Sequence, residues 1–212
     1  MTTHLGIIVP ELFYIEKFWQ SFNAQLTTLN SVTYKIYTEV EKTPNARNDR
    51  GKWYNPVHVS RLAETRNRLI NAAISEGADL IYMIDDDLYL APNTLSRLIG
   101  YMLSQDTKVP LIVGAVSYSV EFNKLLVCEY NMFNHIKKLP HEDFYILPPN
   151  LWIDQNWLIR TADLLKYFPS KQYIPNHIWE TLEFCRAINS LGWRQVLYTA
   201  QLALCDVEVL YD

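Results

Sequence analysis

The stretch Ile81-Tyr82-Met83-Ile84-Asp85-Asp86-Asp87 constrains this chain most, because an apolar run there ends abruptly in three consecutive carboxylates. Gly77-Ala78-Asp79 precedes it and Leu88-Tyr89-Leu90-Ala91-Pro92 follows. A short β-branched and aromatic run between turn residues reads as a buried strand, of the kind found in sheets covered on both faces. The acids then stand at the strand's carboxyl end, where open α/β sheets place their ligand crevices. Three adjacent carboxylates repel one another, and keeping them ionised together requires a compensating cation. A hard, oxygen-seeking divalent ion is the natural partner. A second reading stands beside this one: a solvated acidic turn capping a helix that starts near Pro92.

Around that strand, short apolar runs alternate with amphipathic stretches. Leu5 to Pro10 predicts a first strand, and Ile15, Phe18, Trp19, Phe22 and Leu26 recur at helical spacing in a helix from about Ile15 to Thr28. Val32 to Thr38 predicts a second strand. Breakers crowd residues 39–57, which read as a long loop; Trp53 and Tyr54 make it either a lid over a ligand or a loop packed back on the surface. Ser60 is the predicted N-cap of a helix running to Gly77. On it Arg66 and Arg68 point to different faces, one toward the strand ends and one toward solvent. A helix from Asn93 to Ser104 and a strand from Pro110 to Val113, extended through Ala115 to Tyr118, follow the acids. This alternation predicts a parallel α/β sheet. Past Lys124, Leu125 to Tyr130 and Asp143 to Leu147 are predicted as an antiparallel pair. Leu151 to Ile159, a short helix ended by Pro169, a helix from Trp179 to Ile188 closed by Gly192, and a strand from Gln195 to Tyr198 leading to Val207 complete the chain.

No linker interrupts the 212 residues, so one domain spanning 1–212 is expected. The net charge of −4, with scattered basic residues, argues against a nucleic-acid partner. Aromatic content of 13% supplies stacking surfaces for a binding cleft as well as a core. Cys128, Cys185 and Cys205 lack metal-ligand spacing and form an odd set, which fits reduced thiols in a cytosolic compartment. Neither a signal peptide nor a window of 18 apolar residues is present, so a soluble, cytoplasmic protein with no membrane insertion is expected.

Four stretches follow one another in order: Ala63-Glu64-Thr65-Arg66-Asn67; Gly77-Ala78-Asp79 through Asp85-Asp86-Asp87 and Pro92; Leu158-Ile159-Arg160; and Trp179 to Ala187 with Gly192. Together they resemble the nucleotide-sugar glycosyltransferases of the GT-A fold, from about residue 5 to residue 207. The stretches are similar to that family's Ala-x-x-Arg-Asn helix, its Asp-x-Asp strand, the segment where the sheet passes under the acceptor site, and its Glu-Asp helix. The small size also resembles the compact glycosyltransferase domains of large algal viruses. The resemblance implies a GT-A-like, Rossmann-like, mostly parallel central sheet flanked by helices, with a small antiparallel element in the C-terminal half. It assigns the nucleotide sugar to residues 1–119 and the acceptor to residues 120–212.

The implied activity is metal-dependent transfer of a hexose from a UDP-sugar to a glycan or glycoprotein acceptor. By resemblance, Asp87 ligates Mn²⁺ or Mg²⁺, Asp85 holds the ribose or shares the metal, and Asp86 orients the pair. Arg66 contacts the base, while Val9, Pro10 and the Thr38-Glu39 turn seat the uridine. The family's late histidine ligand has no counterpart after His177, and Asp206 is the substitute. Thr181 replaces the aspartate that serves inverting members as general base. Either Glu180 or Glu183 takes over, or the enzyme is retaining and the leaving phosphate accepts the proton; retention is the preferred outcome. Asp154 and Gln155, where the family often has glycines, either bind sugar hydroxyls or satisfy each other. Trp152, Trp157 and Trp179 each stack on a sugar or fill the core. The alternative function is a catalytically silent nucleotide-sugar-binding module. A nucleotidyltransferase ranks lower, because Pro10 to Tyr14 contains no glycine to cradle phosphates.

Overall fold

The computed structural model describes residues 2–11, 16–40, 56–86, 88–119, 124–129, 132–134, 142–148, 151–153, 156–169, 173 and 180–205. The first half comprises β1 (Thr3–Glu11), α1 (Glu16–Leu26), β2 (Val32–Val40), α2 (Pro56–Ser75), β3 (Leu80–Ile84), β4 (Leu88–Leu90), α3 (Thr94–Ser104) and β5 (Leu111–Ser119). Then come β6 (Lys124–Glu129), β7 (Met132–Asn134), β8 (Phe144–Ile146), β9 (Leu151–Trp152) and β10 (Asn156–Arg160). The chain continues through α4 (Thr161–Tyr167), α5 (Glu180–Ser190) and β11 (Arg194–Cys205). Among the described residues, no helix is long and apolar enough to cross a membrane.

The strands lie in the order β2-β1-β3-β10-β5-β11-β4. β2, β1 and β3 are parallel, as are β5 and β11. β10 runs antiparallel to β3 and β5, and β4 antiparallel to β11. The sheet is therefore mixed rather than mostly parallel. The reason is that hydrophobic periodicity carries no direction: Trp157-Leu158-Ile159 reads the same entered from either end. The predicted pair of antiparallel strands also divides differently. β6 pairs with β5, β7 and β9, whereas β8 pairs with β11. The register of β11 on β5 slips between Tyr198 and Ala203.

Successive strand residues face opposite layers. Leu5, Ile7, Val9, Tyr82 and Ile84 pack with Phe18 and Phe22 of α1 and Leu95, Leu98 and Met102 of α3. Ile8, Ile81, Met83 and Ile112 pack with Ala63, Ile70 and Ala73 of α2 and Phe184, Cys185 and Ile188 of α5. Two local expectations change. α2 begins at Pro56, a turn before Ser60, because proline's fixed φ and missing N–H suit the first helical position. Thr38 and Glu39 belong to β2 rather than to a turn. α2 and α5 both end in left-handed glycines, Gly77 (φ 86°) and Gly192 (φ 73°). In each case the next residue's N–H returns to a carbonyl five residues back, Ala78 to Ala73 and Trp193 to Ile188.

Buried polar side chains fix the joints. Gln25 of α1 donates to the carbonyls of Leu90 and Ala91 and accepts from the N–H of Leu95, holding β4 to the start of α3. Arg160 donates to the carbonyls of Met102 in the last turn of α3, of its C-cap Gln105, and of Val109 in the connection to β5. Tyr82 is the opposite case: its ring is fully buried, burial pushes its phenol far above the ordinary value, and its hydroxyl has no hydrogen-bond partner among the described residues. Tyr82→Phe is therefore expected to stabilise the fold by about 1 kcal/mol, since it removes an unsatisfied buried hydroxyl. Thermal unfolding checks this, and a lower Tm would show that the hydroxyl contributes.

Candidate active site

Parallel register brings the first site residues to one end of the sheet. Pro10 lies opposite Glu39, and Ile8 opposite Met83, so β1, β2 and β3 finish together. Val9, Pro10 and Glu39 sit at that end, and Asp85 and Asp86 follow directly on the last residue of β3. Val9, Pro10 and Asp86 are buried, while Glu39 is exposed.

α2 crosses over this end and presents both arginines to it. Arg66 Nη2 donates to Asp85 Oδ1 at 2.6 Å, with side chains 5% and 25% exposed. A guanidinium so buried is sustained only by a well-placed counter-charge. It thus lies on the first acid of the triplet, at the sheet end where a nucleotide base is expected. Arg68, on the exposed side, donates a fork of two bonds to Glu39, at 2.9 and 2.6 Å, and a third to Thr65 Oγ1 at 3.1 Å. Arg68 is thus exposed as expected, yet it too engages an acid at a strand end.

β10 enters from the same end, with Asn156 opposite Ile84. The Asn156 amide, fully buried, accepts from the N–H of Ala115 at 2.8 Å and donates to its carbonyl at 3.1 Å, extending the ladder sideways into β5. Just upstream, the N–H of Ile153 donates to Gln195 Oε1 at 3.3 Å, and its carbonyl accepts from Cys185 Sγ at 3.4 Å. The chain is therefore fixed on both sides of Asp154 and Gln155, which themselves lie outside the described residues. Across the sheet, Leu88 and Cys205 are register partners on β4 and β11. Their chain neighbours Asp87 and Asp206 also lie outside the described residues. Among the described residues, no group of three His, Cys, Asp or Glu side chains gathers to hold a metal.

α5 begins at Glu180, with Thr181 and Glu183 in its first turn; the side chains of these three lie outside the described residues, as does Trp179 entirely. One turn on, Phe184 stacks on Trp157 with ring centroids 5.0 Å apart. Trp157, 2% exposed, belongs to the core. One contact had no forewarning in the sequence: Asn67 Oδ1 accepts from the backbone N–H of Tyr173 at 2.8 Å. Burial raises the Tyr173 phenol above its ordinary value.

No family model matches the chain, and no curated protein matches it. Solved structures do. A197 from STIV is similar at a TM-score of 0.59 and 9% identity, over 95% of this chain and 84% of that one. TarS of S. aureus is similar at a TM-score of 0.56 and 13% identity, over 97% of this chain. This chain shares a mixed α/β fold with both. At these identities the likeness shows the fold alone, and the chain spans 37% of the length of TarS.

Proposed function

We propose that this chain is a metal-dependent glycosyltransferase that moves a hexose from a UDP-sugar to a glycan or glycoprotein acceptor. The observation that carries the reading is the meeting of Val9, Pro10, Glu39, Asp85 and Asp86 at one sheet end, with Arg66 buried against Asp85, in a mixed α/β fold. In this reading Asp87 and Asp206 hold Mn²⁺ or Mg²⁺ and Asp85 shares the ion or binds the ribose. The pairing of Leu88 with Cys205 supports the partnership of the two outer acids, and carboxylate oxygens suit a hard cation. Once bound, the ion supplies Lewis-acid stabilisation of a diphosphate leaving group.

The chain's own residues do the rest. Arg66 neutralises Asp85 and so relieves repulsion within the triplet. Val9, Pro10 and Glu39 seat the uridine, and Asp154 and Gln155 hold sugar hydroxyls. An acceptor hydroxyl attacks the anomeric carbon as its bond to the phosphate oxygen breaks. The hydroxyl's proton passes to Glu180 or Glu183 or, with retention, to the departing phosphate.

The test is UDP release from a panel of UDP-sugars with Mn²⁺. Asp87→Ala is expected to lower turnover by about 100-fold or more, the loss typical of removing one electrostatic contact to the transition state. UDP is expected to raise the Tm only when Mn²⁺ or Mg²⁺ is present; an equal rise in chelator removes the metal from the reading. Thr181 in the first turn of α5 favours a second reading, a silent nucleotide-sugar-binding module. UDP binding without release from any donor would establish that one.

A further inference from the structure

Arg66 and Asn67 are neighbours on α2 but reach in different directions. Arg66 takes Asp85, whereas Asn67 takes the backbone of Tyr173, a residue 1% exposed. From Tyr173 a series of rings leads to α5. The Tyr173 ring meets Phe168 edge-on at 6.1 Å, Phe168 lies 5.7 Å from Phe184, and Phe184 stacks on Trp157. Phe184 stands one helical turn after Glu180, and Trp157 follows Asn156, the register partner of Ile84. One turn of α2 is thereby joined to both sides of the site.

We propose that Asn67 is a positioning residue: by holding the Tyr173 backbone it sets, through the Phe168 and Phe184 rings, where α5 begins relative to Asp85. The proposal rests on the reading of the first-turn acids of α5 as the acceptor side. An asparagine fits the task because its side-chain oxygen accepts from the part-buried backbone N–H of Tyr173 across 106 positions of sequence. Aspartate keeps an oxygen in the same place; alanine removes it.

Asn67→Ala and Asn67→Asp are compared with the unaltered chain in turnover, in the UDP–Mn²⁺ thermal shift, and in amide hydrogen exchange. Asn67→Ala is expected to lower kcat about 10- to 100-fold, as misplaced groups do, and to raise the acceptor KM while leaving the UDP–Mn²⁺ shift unchanged. Asn67→Asp is expected to restore most of kcat. Exchange is expected to quicken at Tyr173 and in the first turn of α5, but not in β3. Should the alanine variant not fold, Asn67→Ser, which keeps a shorter oxygen acceptor, is read in the same way. Unchanged exchange at α5 overturns the proposal, and so does a UDP–Mn²⁺ shift that falls in step with kcat, which would make Asn67 a donor-site residue. If no UDP-sugar is turned over, the proposed activity fails, and the exchange data still decide whether Asn67 positions α5.

Discussion

Gly114→Ala is expected to lower stability by about 3 kcal/mol or more, at the upper end of the cost of overpacking a core. A Cβ at this position of β5 would lie 2.3 Å from the carbonyl oxygen of Asn156 and 2.5 Å from Ile153 Cγ2. The isoleucine can rotate away, but the carbonyl cannot, because the Asn156 side chain is bonded to both backbone groups of Ala115. Relief therefore requires lifting the segment from Ile153 to Asn156 off the sheet. For a chain of this size such a loss corresponds to a fall of roughly 6–12 °C in Tm. Thermal and urea unfolding measure it, and a Tm equal to that of the unaltered chain would show that the segment lifts freely. Because Asp154 and Gln155 lie within that segment, UDP release is expected to suffer even in molecules that remain folded.

The second large effect concerns Arg66. Removing one partner of a buried ion pair typically costs about 3–5 kcal/mol, since a charge is left desolvated. Asp85 retains 25% exposure, which lets water recover part of that, so Arg66→Leu is expected to cost about 2–3 kcal/mol. Adding Asp85→Asn is expected to return part of the loss, because the stranded charge is gone. A single variant as stable as the unaltered chain in urea unfolding, at neutral pH, would show that Asp85 does not depend on Arg66.

These expectations differ in how far the sequence alone reached. That a strand ended in acids was legible, because the pattern is local: β3 stops at Ile84 and Asp85 follows. That Arg66 and Arg68 diverge was legible from helical spacing, but which acid each would meet depended on how α2 lies across β2 and β3. Strand direction was not legible in β10, nor was the choice of partner for β6 and β8, since pairing is decided between distant segments. The bond from Asn67 to Tyr173 spans 106 positions, and no periodicity reports a contact of that kind. Burial of Trp157 was the default for such a residue, and its ring stack on Phe184 agrees.

The placement of β4 has a mechanical consequence. On a flat sheet the path from β3 through β10, β5 and β11 to β4 would be four strand spacings, about 19 Å. Four residue steps join Ile84 to Leu88, a reach of at most about 14 Å. The sheet must therefore roll, and along that path the register of β11 on β5 slips between Tyr198 and Ala203. Gln25 anchors the far side through the carbonyls of Leu90 and Ala91. The acidic stretch thus acts as a buckle on a rolled sheet, and the gape of the crevice beside it is limited by the number of peptide units in the buckle.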